Sequence, residues 1–315
     1  MAKSKLAIGI DIGSSSVKLC QLSESKKGYV LEHFALAPLP AEAIVEGAVM
    51  DANAVSEAIL EMISGQKFKI KDVSLSISGH SVIIKKISMP IMTSEELKEQ
   101  VRWEAEQYIP FDINDVYLDA EVVMKDEQGT GQMEVLLVAA KKDLVNDMAS
   151  VITAAGLKPT IVDVDVFALQ NSFEINYFAS EQETVVLVNV GASVININVL
   201  SKGYSNFTRD IIAGCRQYEE EIQKQLGVSA EEAEAFLLGG KEGDNAGVIP
   251  KEVEPILFSV SDTLAGQIQR SLDFFAATNA DRIYLSGGGA KIPALGRTIE
   301  EVLSIQVEIF NPFKN

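Results

Sequence analysis

The sequence predicts an α/β fold made of two related halves, and three observations lead to this prediction. Residues 6–22 (LAIGIDIGSSSVKLCQL) and 184–200 (TVVLVNVGASVININVL) repeat one pattern, in which a Gly and Ser turn joins two apolar runs of strand type. Strand-type and helix-type patterns alternate along the rest of the chain. The chain has 315 residues, of which 47% are hydrophobic, so it can bury the core of two domains or of one bilobed unit.

The first half opens with strands and one helix. Residues 6–37 read as a strand pair or meander, with Gly28 in a turn between strands. A helix is predicted at 51–64, because its apolar residues fall on one stripe and Asp51 is a suitable N-cap. The alternating residues 73–79 predict the next strand.

Residues 84–156 differ from the preceding segment in their pattern of predicted strands and helices, and they are predicted to form an inserted small α+β subdomain. A strand is predicted near 82–88, a helix at 94–107, strands at 116–124 and 133–140, and a helix at 142–155 that Gly156 ends. This β-α-β-β-α pattern is self-contained in the sequence. It leaves residues 1–83 and 157–182 as the core of the first lobe.

The second half repeats the strand-rich start and then becomes helical. Residues 160–178 predict a strand that passes into a helix, and the second copy of the hairpin follows. A helical region is predicted at 214–277, split by the loop sequence GGKEGDNAG. Residues 281–303 predict a buried strand, a triple-glycine turn and a helix. The second-lobe core is therefore predicted over 183–213 and 278–315, and the helical subdomain over 214–277.

Composition excludes several classes of function. The chain has 45 acidic and 27 basic side chains, a formal net charge of -18 and no dense Lys/Arg block, so nucleic acid is a poor candidate partner. No run of about 18 apolar residues predicts a membrane span, and the start lacks the features of a signal peptide. Two cysteines are too few for a disulfide framework or a zinc site, as in proteins of a reducing compartment. We expect a cytoplasmic protein.

The first hairpin carries residues suited to phosphate binding. Asp11 precedes the turn, Gly13 permits tight backbone geometry, and Ser14, Ser15 and Ser16 offer N–H and hydroxyl donors. Lys18 follows on the next strand, and a carboxylate such as Asp11 is useful here for holding Mg²⁺ through water. Taken alone, the segment also fits an ordinary hairpin.

Two further glycine turns strengthen the interpretation. Asn189, Gly191, Ala192 and Ser193 occupy the matching places in the second hairpin. The triple glycine at 287–289 lies between a strand and a helix and lets backbone approach a ring or a sugar closely. Each glycine turn alone can simply mark the place where a strand ends and the next element begins. Three in this order predict a nucleotide held between two facing hairpins.

This order of motifs resembles the actin-like ATPase superfamily, with its bilobed fold of two related RNase H-like subdomains. The resemblance implies ATP and Mg²⁺ as cofactors. It assigns nucleotide binding to both hairpin turns, to the triple glycine and to two further residues. The assigned residues are Asp11, Gly13, Ser14, Ser15, Ser16, Lys18, Asn189, Gly191, Ala192, Ser193, Glu234, Gly287, Gly288, Gly289 and Ile292.

Two positions bear on hydrolysis. The second phosphate loop of the superfamily usually reads Asp-x-Gly, whereas this chain has Asn189, and an amide neither attracts Mg²⁺ as a charge nor accepts a proton. Hydrolysis is therefore expected to be slow or absent. Asp165 matches the place where MreB-like members put a water-orienting Glu, and it is equally suited to be a helix N-cap.

The predicted insertion narrows the resemblance. Its phrases WEAEQYIPF (103–111), LLVAAKK and AGLKP are more specific than any glycine loop. Over nearly the whole chain the sequence resembles the type IV pilus assembly PilM family, which is related to FtsA. The resemblance implies a cytoplasmic, ATP-binding protein recruited to the inner-membrane face. There it would dock the N-terminal cytoplasmic tail of the membrane protein PilN, with possible contacts to other platform and motor proteins.

The partner-binding surface is left open between two interpretations. Trp103 and Tyr108 belong either to the core of the insertion or to a groove for a peptide anchor. Two other functions compete with the adaptor role. A small-molecule, sugar-type kinase of the same superfold needs a catalytic carboxylate and a polar sugar pocket, and an FtsA-like filament scaffold needs an amphipathic membrane helix. None of these three features is evident in the sequence.

Overall fold

The computed structural model describes residues 7–26, 28–65, 68, 70–124, 129–180, 182–237, 250–275 and 279–314. The chain divides into two compact units, and the boundary between Ala168 and Leu169 falls within helix α4 (Asp165–Asn176). No helix in these described ranges is long and apolar enough to cross a membrane. The predicted loop GGKEGDNAG lies outside the described residues.

The first unit contains ten strands and three helices before α4 within the described ranges. They are β1 (Ile8–Ile12), β2 (Ser16–Ser25), β3 (Gly28–Pro38), β4 (Ile44–Val45), β5 (Ala48–Val49), α1 (Ala52–Ile63), β6 (Asp72–Ile77), β7 (Val82–Pro90), α2 (Ser94–Ala105), β8 (Val116–Met124), β9 (Gln132–Lys141), α3 (Lys142–Ala154) and β10 (Lys158–Val164).

The second unit continues from α4. Its elements are β11 (Thr184–Val190), β12 (Ile195–Ser201), β13 (Tyr204–Ile211), α5 (Arg216–Leu226), α6 (Ala230–Leu237), α7 (Glu254–Phe274), β14 (Arg282–Ser286), a 3-10 turn (Gly288–Lys291), α8 (Pro293–Leu303) and β15 (Val307–Ile309).

The main sheets of the two units share one topology. The strand order is β3-β2-β1-β6-β10 in the first unit and β13-β12-β11-β14-β15 in the second. In each sheet the first three strands form an antiparallel meander, and two later strands join parallel to the first. The predicted α/β fold of two related halves is confirmed.

Helices α1 and α3 cover one face of the first sheet. The Asp51 side chain caps α1 by accepting hydrogen bonds from the N–H groups of Asn53 and Ala54 at 3.1 and 3.0 Å, as predicted for an N-cap. The apolar face of α3, which includes Leu144 and Ile152, packs into the core that Ile8 and its neighbours on β1 form. Helix α3 therefore belongs to the core of the five-stranded sheet, although the sequence places it in a self-contained insertion.

The three-stranded sheet β7-β9-β8 and helix α2 form a second core in the first unit. A capping box begins α2, with the Thr93 N–H donating to the Glu96 side chain at 2.8 Å and the Glu96 N–H donating to the Thr93 hydroxyl at 3.3 Å. Leu97, Val101 and Ala105 form the buried stripe of this helix. The outer limits of the subdomains remain a prediction.

The second sheet is covered on both faces. One face packs on α5, α7 and α8, where the Tyr218 hydroxyl lies 2.8 Å from the Ser261 hydroxyl in the interior. On the other face an aromatic cluster forms around Phe173 of α4 and Tyr177, the residue after that helix, and these two rings stack on each other. Burial on both sides explains why the β11 sequence is a nearly continuous apolar run.

Candidate functional site

The first glycine turn closes a tight hairpin between β1 and β2. The Gly13 N–H donates to the Ser16 carbonyl at 3.1 Å, and the Leu39 N–H donates to the Ser15 carbonyl at 2.9 Å. A Cβ on Gly13 would lie 3.1 Å from the Lys18 amino group and 3.3 Å from the Ser16 carbonyl oxygen. The absence of a side chain at Gly13 thus leaves room for the lysine beside the turn.

Asp11 and Lys18 face each other directly across this hairpin. They are paired in the strand register, and their side chains form an ion pair of 2.9 Å. Both side chains remain partly open to solvent, so screening keeps the pair weak and either group is accessible to a ligand. Ser16 is buried at the start of β2, whereas Ser15 is exposed and Ser14 is half-buried. The two turn serines are therefore the accessible hydroxyls.

The second hairpin repeats this turn with different side chains. The Gly191 N–H donates to the Val194 carbonyl at 2.9 Å, which matches the bond from Gly13 to Ser16. Asn189 and Asn196 are paired in register, and their amides share a hydrogen bond of 3.0 Å. An amide pair thus stands where the first copy has the ion pair of Asp11 and Lys18.

The start of α5 fixes the second turn. The N–H groups of Cys215 and Arg216 donate to the carbonyls of Gly191 and Ala192, each at 2.9 Å. A Cβ on Gly214 would lie 2.4 and 2.6 Å from the same two carbonyl oxygens, so only glycine permits this approach. Sequence reasoning did not select Gly214. The only signal was a glycine next to the start of a predicted helix.

The three glycines after β14 serve different purposes. Gly287 has a φ of +83°, and a Cβ there would lie 2.7 Å from the Asn189 side-chain oxygen. A Cβ on Gly289 would lie 2.5 Å from a methyl carbon of Val190. Gly288 is exposed, and a Cβ there would meet only the Cys215 sulfur at 4.0 Å. Packing against β11 thus requires Gly287 and Gly289, while Gly288 leaves open space above the turn.

The two other residues predicted near the nucleoside have contrasting surroundings. Glu234 lies exposed on α6, close enough to Glu219 of α5 to influence its charge. Burial raises the pKa of Glu219, the negative charge of Glu234 raises it further, and Arg216 opposes the shift. Ile292 is 6% exposed within the core of the second unit, and its N–H donates to the Gly289 carbonyl at 3.0 Å.

Asp165, Trp103 and Tyr108 complete the predicted residues. Asp165 is the first residue of α4. Trp103 is 73% exposed and Tyr108 is 42% exposed, so neither is a core residue, and the groove interpretation is the one that stays a prediction. In the described ranges, no three His, Cys, Asp or Glu side chains converge as the ligands of a metal ion would.

Two sheets of one topology, each with a glycine-turn hairpin at the equivalent place, define this chain as a protein of the actin-like fold. Residues 9–315 match the family described as type IV pilus assembly protein PilM. The match spans nearly the whole chain, so the chain belongs to this family.

Solved structures agree with this placement. A chain of the PilM–PilN type IV pilus biogenesis complex is 26% identical, with 98% of this chain and 89% of that chain covered at a TM-score of 0.85. The ethanolamine utilization protein EutJ from Carboxydothermus hydrogenoformans is 14% identical, with 98% and 85% covered at a TM-score of 0.63. MreB5 of Spiroplasma citri bound to AMPPNP is 12% identical, with 98% and 92% covered at a TM-score of 0.53. The last two show the fold alone.

Proposed function

We propose that this protein is a nucleotide-binding adaptor of type IV pilus assembly that docks the N-terminal cytoplasmic tail of PilN. It works in the cytoplasm and is recruited to the inner membrane through that partner. The observation that carries the proposal is the match of 98% of the chain, at a TM-score of 0.85, to a chain of the PilM–PilN complex. Membership of the PilM family over residues 9–315 supports it.

The nucleotide part of the proposal rests on the glycine turns. The open space at Gly288 and the tight turns at Gly13 and Gly191 fit a ligand that backbone N–H groups contact closely. We assign phosphate contacts to the glycine turns of the two hairpins and the nucleoside contact to the Gly287–Gly289 turn. Asp11 would hold Mg²⁺ through water, and the cation would neutralise part of the phosphate charge.

Slow hydrolysis follows from the surroundings of Asn189. Its amide nitrogen donates to Asn196 at 3.0 Å, and its amide oxygen lies 3.3 Å from the Ser286 hydroxyl. An amide does not accept a proton from an attacking water. The protein therefore holds ATP longer than a working phosphotransferase does, and a turnover well below about 1 s⁻¹ is expected.

The docking part of the proposal uses the exposed aromatic residues of the inserted subdomain. Trp103 is the only tryptophan of the chain and lies on the solvent face of α2, opposite the buried stripe of that helix. Exposed Trp and Tyr side chains are frequent anchors of binding energy. We assign Trp103 and Tyr108 to the PilN-tail surface, and the nucleotide state sets the affinity of that surface.

A peptide titration tests the docking. A Trp-free synthetic PilN tail should change the emission of Trp103 saturably, and calorimetry should give the same dissociation constant. The Trp103→Ala variant should bind at least about tenfold more weakly, which corresponds to about 1.4 kcal/mol. Tyr204→Ala removes an exposed aromatic ring from β13, where Tyr204 is 41% exposed, close to the 42% of Tyr108; this control variant should bind normally. Absence of saturable binding to the wild-type protein would refute the proposal.

A further inference from the structure

Four polar side chains form a row across four neighbouring strands of the second sheet, at the end that carries the turns. Ser286, Asn189, Asn196 and Asp210 are direct partners in the strand registers of β14, β11, β12 and β13. The Asn189 amide nitrogen donates to the Asn196 oxygen at 3.0 Å, and the Asn196 amide nitrogen donates to Asp210 at 2.9 Å. We call these four residues the polar row.

The carboxylate at one end fixes the direction of every hydrogen bond in the polar row. Asp210 only accepts, so Asn196 must turn its NH₂ group toward it and its oxygen toward Asn189. Asn189 then presents its NH₂ group to Asn196 and its oxygen to Ser286, whose hydroxyl lies 3.3 Å from that oxygen and from the Val188 carbonyl. Asn196 is only 3% exposed, so water cannot replace a lost partner.

The polar row ends directly beneath the glycine turn. A Cβ on Gly287 would lie 2.4 Å from the Val190 carbonyl oxygen and 2.7 Å from the Asn189 side-chain oxygen, and the Val190 side chain packs against Gly289. Asn189 also lies two residues before Gly191, where the second hairpin turn begins. The orientation of one amide therefore influences both elements of the second unit that the proposed function assigns to the nucleotide.

We propose that Asn196 and Asp210 are positioning residues of the nucleotide site, which act through Asn189 by fixing the direction of its amide. This inference rests on the proposed function and deepens it. It also explains the residue at 189, because a carboxylate there would force Asn196 to turn over and face Asp210 oxygen to oxygen. In the first hairpin the equivalent pair of Asp11 and Lys18 is already complementary, so that copy accommodates a carboxylate.

The test is a double-mutant cycle on the full chain, measured by ATP affinity and by thermal unfolding without nucleotide. Asn189→Asp should weaken ATP binding at least about tenfold and lower the melting temperature, because two acceptors then meet in the polar row. Asp210→Asn alone should weaken ATP binding less than Asn189→Asp does, since the new amide still offers an oxygen to Asn196 but no longer forces the direction of its amide. The double variant should recover both properties, because the two amide bonds of the polar row can then run in the opposite direction while Ser286 still donates to residue 189.

A matched control separates the polar row from general charge. Asn189→Asp combined with Asp262→Asn changes the net charge identically but alters an exposed residue of α7, so it should show no recovery. If the wild-type protein binds ATP and the Asn189→Asp/Asp210→Asn variant is no better than Asn189→Asp, the inference is overturned and the proposed function stands. A wild-type protein that binds no ATP refutes the nucleotide part of the proposed function, and the thermal cycle alone then decides whether the polar row has a fixed direction.

Discussion

A substitution of Gly288 should affect ATP binding without affecting the stability of the fold. A Cβ at this position has only the Cys215 sulfur within reach, at 4.0 Å, and the residue is exposed. Gly288→Val should therefore change the free energy of unfolding by no more than about 0.5 kcal/mol. The branched side chain would fill the space proposed for the nucleoside, so ATP affinity should fall at least about tenfold, or about 1.4 kcal/mol.

Gly289 is the matched control because it lies one residue further in the same turn. A Cβ there would lie 2.5 Å from a methyl carbon of Val190, which is overpacking of the kind that costs about 1–3 kcal/mol. For a domain of this size the melting temperature should drop by roughly 2–4 °C per kcal/mol. Calorimetric ATP titration and thermal unfolding of Gly288→Val and Gly289→Ala are the assays. Wild-type ATP affinity in a stable Gly288→Val variant would refute the placement of the nucleoside at this turn.

Three further predictions follow from single contacts. Tyr218→Phe should lower the free energy of unfolding by about 1–2 kcal/mol, because the buried Ser261 hydroxyl loses its partner at 2.8 Å. Urea denaturation measures this change, and a value below about 0.3 kcal/mol would contradict the prediction. Glu219→Gln should raise the melting temperature at neutral pH. Because burial raises the pKa of Glu219 in the folded state, the wild-type protein loses stability as pH rises and this side chain ionises, whereas the glutamine stays neutral. The difference in melting temperature between variant and wild type should vanish in acid, and its persistence there would contradict the reasoning. Asp11→Asn should remove most of the Mg²⁺ dependence of ATP affinity, measured by titrating ATP at several Mg²⁺ concentrations. Its free energy of unfolding should change by less than about 1 kcal/mol, because the ion pair of Asp11 with Lys18 is solvent-exposed. An unaltered Mg²⁺ dependence would exclude Asp11 from the cation site.

The hairpins and most helices were predictable because their signals are local. The repeated strand-turn-strand pattern predicted β1–β2 and β11–β12, and Asp51 with an apolar stripe predicted α1. The exposure of Trp103 could also have been predicted from the sequence. This residue lies two positions from Val101, about 200° away around a helix, and therefore on the face opposite the buried stripe.

Other features depend on contacts between distant segments and have no local signal. Gly214 is required by carbonyl groups of Gly191 and Ala192, which precede it by more than twenty residues. The link from Asn196 to Asp210 exists only because the strand register makes them partners. The sequence of helix α3 predicts an amphipathic helix, but it does not specify whether the apolar face covers the five-stranded or the three-stranded sheet of the first unit.

The most direct test is the coupling between nucleotide and tail. The dissociation constant of the PilN tail peptide is measured by calorimetry with and without saturating Mg-ATP, and that of ATP with and without the peptide. We predict that each ligand changes the affinity of the other by the same factor, about fivefold or more, since coupling between two sites is reciprocal. Equal peptide affinities in the two nucleotide states would contradict a nucleotide-gated adaptor, and no saturable peptide binding in either state would contradict the adaptor role itself.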